Sequence, residues 1–205
     1  MIDLYAAPTT NGLRAKITLE ECGLDYVLHK VNMKEREHKT PEFLAMNPMG
    51  MTPVIVDHDG PGGQTVTMAQ SIAILFYAAE KSGKFLPTDP VARANFWDPM
   101  MNTATDFGPT YGAVAFISRW PEENADAKEN FQQRFRDFCG VWDAKLAHQH
   151  YCAGDDVTIA DFSFFGIFAR AQSTYAEMAT GFANVDRWYG EIAARPGVQK
   201  GMNFD

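Results

Sequence analysis

The alternating apolar pattern of β-strands stops before residue 90 and does not return, so any sheet in this 205-residue chain must come from its opening segment. There, residues 2–5 alternate as a short strand. Residues 13–22 carry helical spacing stopped by Gly23, and 26–31 alternate again. A charged loop, 32–40, leads to two further strand patterns at 53–57 and 65–68. The glycine-rich stretch from Asp59 to Gly63 joins them, which predicts a hairpin. Residues 71–81 close the unit as a helix. Turn formers then crowd from Ser82 to Pro90, and the remainder of the chain has only helical spacing, at 91–118, 122–149, 158–174 and 185–195. The pattern predicts an α/β domain at 1–82, a linker at 83–90 and an all-α domain at 91–205.

Two local signals refine the helical part. Thr158-Ile159-Ala160-Asp161 places a capping hydroxyl three positions before a carboxylate, flanked by Val157 and Phe162 as a hydrophobic staple; this is a folding device. Gly108-Pro109 interrupts the long stretch from Val91, because proline lacks a donor and obstructs the carbonyl four residues back, so a kink is expected near Thr105. Pro99 can act in the same way nearer the start and divide the stretch in two.

A net charge of -8 without a Lys/Arg cluster argues against nucleic acid or an anionic membrane as partner. The apolar runs are too short to span a bilayer. Cys22, Cys139 and Cys152 form an odd, widely spaced set, which suggests a reducing compartment and no disulfide framework. The start has no basic n-region, so no signal peptide is expected, and the expected location is cytoplasmic. His148, His150 and Cys152 lack a recognised zinc spacing and suit a helix C-terminus, so no metal is expected.

Two segments look built to hold a small anionic peptide. Pro53 heads a Val-Ile-Val strand, where its fixed φ and accessible cis bond can turn the preceding backbone outward and leave Val54 to offer N–H and C=O groups to an extended ligand. Gln70-Ser71 opens a helix, whose hydroxyl, unpaired first-turn N–H groups and dipole favour a carboxylate.

These segments resemble the cytosolic glutathione transferase family. The likeness extends through Ile2-Asp3-Leu4-Tyr5, Pro8-Thr9-Thr10-Asn11-Gly12, Leu19-Glu20-Glu21-Cys22-Gly23-Leu24, Pro41-Glu42-Phe43-Leu44, Asn47-Pro48, and the run from Asp155 to Phe162. The Thr-x-Asn-Gly start is most similar to the bacterial nu-class branch. The resemblance implies a thioredoxin-like first domain, an all-helical second, glutathione as co-substrate and a homodimer.

Glutathione reacts as its thiolate, yet a free thiol titrates at about 8.5. Bringing that down by about two pH units takes about 2.7 kcal/mol of preferential anion stabilisation, within reach of one or two donors at roughly 1.5–3 kcal/mol each. Thr9 and Asn11 match the nu-class motif. Thr10 departs from it, standing where proline is usual, and adds a candidate hydroxyl. Read without the resemblance, Thr10 or Asn11 is better taken as a helix cap, and the resemblance reverses that for Thr9 and Asn11 but not for Thr10; Tyr5 sits inside the strand and reads as core. Gln70 is a second departure, since the nu-class pattern has glutamate there. A neutral amide cannot neutralise the ligand's ammonium group. The alpha, mu and pi classes share this glutamine and borrow an aspartate from the partner subunit, a place matched here by Asp106, which reads equally as a solvated carboxylate. His38 and Lys39 are candidates for the glycine carboxylate, with plain exposed charge as the other reading. Phe107 and Tyr111 are candidates for a second-substrate pocket, while Phe116 reads as core.

The leading expectation is transfer of glutathione thiolate to a small apolar electrophile, as in detoxification. The alternatives are a glutathione-dependent disulfide or peroxide reductase, and a protein that binds glutathione without turnover.

Overall fold

The computed structural model describes residues 1–122 and 124–205. The first unit holds a four-stranded sheet: β1 (Ile2–Ala6), β2 (Tyr26–Lys30), β3 (Val54–Asp57) and β4 (Val66–Ala69), in the order β2-β1-β3-β4. β1 and β2 are parallel, and the other pairs are antiparallel. The parallel pair needs a crossover, supplied by α1 (Thr10–Cys22), whereas β3 and β4 need only the Gly-rich turn. Alternation along β1 buries Ile2, Leu4 and Ala6 on one face, with Leu4 opposite Ile55. Helices α1 and α3 (Ser71–Ser82) pack together there, burying Ile17, Leu19, Ile74 and Leu75. Tyr5, Val54 and Ala69 share the other face, where α2 (Pro41–Met46) lays Phe43 and Met46 over them.

Local chemistry sets the helix ends. Thr9 caps α1, its Oγ1 accepting from the Gly12 N–H at 3.2 Å, and Gly23 ends it at φ 70°. Gly12 is required by proximity: a Cβ there would lie 1.9 Å from the Ala7 carbonyl oxygen.

The second unit is helical: α4 (Pro90–Asn102), α5 (Gly108–Ile117), α6 (Ala125–Leu146), α7 (Ile159–Thr174) and α8 (Ala183–Ala193). Pro99 lies within α4 and does not divide it. The irregularity expected near Thr105 is a π-helical turn at Thr103–Phe107. Pro109 has no N–H for the Thr105 carbonyl, and Gly108 donates five residues back, to Thr103. Asp161 is fully buried and accepts from the Cys152 and Thr158 N–H groups and from Trp188 Nε1, each at 2.9 Å. With Thr158 it forms the capping box expected at the start of α7.

The tail departs from the expected division. The compact units are Met1–Leu86 with Ala194–Asp205, and Pro87–Ala193. Helix α9 (Pro196–Met202) packs on α1, where Gly201 allows contact: a Cβ would meet the Ile17 backbone at 2.6 Å. Glu21 of α1 accepts from the Val198 N–H at 3.1 Å and from Arg195 Nε at 3.0 Å. Lys16 Nζ donates to the Lys200 and Asn203 carbonyls, both at 2.6 Å. A carboxylate at the N-terminus of α9 and an ammonium at its C-terminus match its dipole.

Candidate active site

The turn from β1 into α1 presents Thr9, Thr10 and Asn11, all half-buried. The helix cap is Thr9, one position before the two residues weighed for that role. Because its oxygen accepts from Gly12, its own O–H remains available to donate outward. Thr9 thus serves the fold and keeps a donor for chemistry.

Asn11 and Ser71, at the starts of α1 and α3, meet through a residue that the sequence pattern did not single out. Arg14 is 6% exposed, and it donates from one terminal nitrogen to Asn11 Oδ1 at 2.6 Å and from Nε to Ser71 Oγ at 3.0 Å. Burial lowers its pKa to about 10, so the guanidinium is charged at neutral pH. The sequence carried no signal that set Arg14 apart, since α1 also holds Lys16, Glu20 and Glu21.

Gln70 precedes Ser71 with φ 71° and ψ 105°, a left-handed conformation costly for a side chain bearing a Cβ. It is exposed, while Ser71 is buried. The Thr52–Pro53 peptide is cis, and Pro53 is buried. Val54 corrects the expectation placed on it. Tyr5 flanks it on one side and Ala69 on the other, so it has no free edge for an added strand. The open backbone is two residues earlier, at Thr52, which makes no hydrogen bond among the described residues.

His38 lies in a short 3-10 turn, Glu37–Lys39, where its Nδ1 is buried and has no hydrogen-bond partner among the described residues. Partial desolvation, then Lys39 and Arg36, push its pKa below the usual histidine value. Lys39 Nζ donates to the Met49 carbonyl at 3.1 Å.

The remaining candidates lie in the helical unit. Asp106, in the π turn, is half-buried and accepts from Asn102 Nδ2 and Thr105 Oγ1, each at 2.9 Å. Phe107 and Tyr111 were expected to line a pocket. Phe107 is instead fully buried, with ring centroids of Phe135 and Phe164 each 5.1 Å away, and Tyr111 is buried beside Tyr175. Phe116, expected in the core, is 58% exposed and rests on Trp120. The reason is phase: nine positions is about two and a half helical turns, so burying Phe107 turns Phe116 outward. His150 pairs with Glu191 at 2.9 Å, and Cys152 is buried. Among the described residues no group of His, Cys, Asp and Glu is arranged to hold a metal ion, and no helix is long and apolar enough to cross a membrane.

A thioredoxin-like sheet unit with a hydroxyl–amide corner at its first strand–helix junction, followed by a helical unit, is the architecture that the sequence resemblance implied. Residues 10–81 match the glutathione S-transferase N-terminal domain, and residues 125–191 match its C-terminal domain. The disulfide-bond oxidoreductase YfcG of Escherichia coli (strain K12) is 31% identical over 204 residues, covering 98% of this chain and 94% of that protein. A glutathione transferase family member from Pseudomonas fluorescens pf-5, solved with two glutathione bound, is 33% identical with a TM-score of 0.89, covering 98% of this chain and 92% of that one. A glutathione transferase from Pseudomonas putida, solved with one glutathione disulfide per subunit, is 31% identical with a TM-score of 0.90, covering 99% and 91%. The chain belongs to the glutathione transferase family.

Proposed function

We propose that this enzyme uses glutathione thiolate, held by Thr9 and Asn11, to reduce disulfides. The observation that carries the reading is where sulfur is found. Cys22, Cys139 and Cys152 are all buried, and desolvation raises each thiol's pKa, so the chain offers no ready nucleophilic sulfur of its own. Two similar structures hold either a pair of glutathiones or their disulfide, and the Escherichia coli relative is named for disulfide chemistry. In the first step, glutathione thiolate attacks one sulfur of the substrate, the S–S bond breaks, and the departing thiolate takes a proton. A second glutathione thiolate then attacks the glutathionyl sulfur of the mixed disulfide. It releases the other thiol and leaves glutathione disulfide, which accounts for both electrons.

Around the sulfur, Gln70 and Ser71 hold the γ-glutamyl end, the Thr52 backbone pairs with the peptide, and His38 and Lys39 face the glycine carboxylate. In a homodimer, Asp106 serves the ammonium group of the glutathione bound by the other copy. A monomeric variant that keeps full affinity would remove that role.

Transfer to an apolar electrophile, favoured by the family match, is the second reading. Its expected pocket lining is weakened by the burial of Phe107. Assays run side by side with a glutathione mixed disulfide and an aromatic halide separate the two: turnover of the disulfide is expected to dominate, and turnover of the halide alone would reverse the order. Glutathione binding with neither activity would leave a binding protein.

A further inference from the structure

We infer that Arg14 is a positioning residue that joins the two ends of the glutathione site and fixes the hydrogen-bonding polarity of both. The inference rests on glutathione lying between Asn11 and Ser71, as proposed above.

A guanidinium can only donate. By donating to Asn11 Oδ1, Arg14 occupies the amide's acceptor and leaves its NH2 group to face the ligand. A side-chain amide otherwise turns over readily, and its carbonyl oxygen would repel a thiolate. At the other contact, Ser71 Oγ accepts from Arg14 Nε and keeps its single proton for a carboxylate. One buried cation therefore makes donors of two residues 60 positions apart that share no direct bond. Its charge is largely shielded from water, which also favours an anion at each end.

The alternative is that Arg14 only ties α1 to α3, so the test reads properties that a mere tie would not move. The variants are Arg14→Gln and Arg14→Lys, and the readouts are calorimetry with reduced glutathione and with S-methylglutathione, ultraviolet titration of the bound thiolate, and kcat/KM against pH. In Arg14→Gln the bound thiol is expected to ionise at higher pH and kcat/KM to fall about tenfold or more, the scale of one hydrogen bond to a charged group. S-methylglutathione should also bind more weakly, because the Ser71 end is affected. Arg14→Lys keeps the charge but not the fork, and should recover part of the loss.

Unchanged thiol ionisation in a folded but less stable Arg14→Gln would overturn the inference and leave the site reading intact. Absence of glutathione heat in the unaltered enzyme would instead overturn the site reading. Should Arg14→Gln fail to fold, a cycle of Asn11→Ala, Ser71→Ala and the double variant decides: non-multiplicative losses in kcat/KM support the connection, and simple multiplication refutes it.

Discussion

At Thr9 one hydroxyl accepts a backbone bond that starts a helix and has a proton left to donate, so under the proposed function its removal should register twice. Thr9→Ala is expected to cost about 1 kcal/mol of stability through the lost cap and to lower kcat/KM by roughly tenfold or more through the lost donor. Thr9→Ser should preserve both, and thermal melts beside steady-state kinetics check it. Asp3 gives a pH dependence. Hydrogen bonds from His58 and then His29, at 2.7 and 2.8 Å, hold its pKa below the usual carboxylate value. A depressed carboxylate contributes stability above its unfolded pKa and loses it as pH falls through the folded one. Asp3→Asn should flatten the acid side of a Tm–pH curve, and an unchanged acid limb would refute the pairing. The strand–helix junction that carries Thr9 and Asn11 was legible in the sequence because it is a local event. The closure of Val54 was not, since it depends on two neighbouring strands in register, and Arg14 became visible only once α1 and α3 lay together.

At the scale of elements, Asp161 organises the start of α7 by accepting bonds from Cys152, Thr158 and Trp188. Asp161→Ala strands those donors in a dry interior and should destabilise the protein by roughly 3 kcal/mol or more, lowering Tm without changing the ionisation of bound glutathione. An unshifted Tm would show that the box is dispensable. Its four-residue signature was readable directly, as was the trouble caused by Gly108-Pro109, though its form as a π turn comes from Gly108 finding Thr103 five residues back. Helices α2 and α9 escaped notice because six and seven residues make under two turns, too few for a 3.6-residue period to declare itself.

Across the whole chain, the sheet unit is completed by residues from its far end. Deleting 194–205 would strip the Glu21 carboxylate and Lys16 of their partners and uncover Ile17, so the truncated protein should melt at lower temperature, with α1 losing hydrogen-exchange protection first. Equal protection in the truncated protein would show that α9 is only laid on. The clean change from strand to helical spacing near residue 90 identified two architectures, but not this return, since nothing in a short tail announces which earlier helix will receive it. During translation the ribosome therefore releases the sheet unit's closing piece only after the entire helical unit has emerged. Of the two units the sheet unit starts first and closes second, and a nascent chain stalled after the helical unit would carry a sheet platform with one side of α1 still bare.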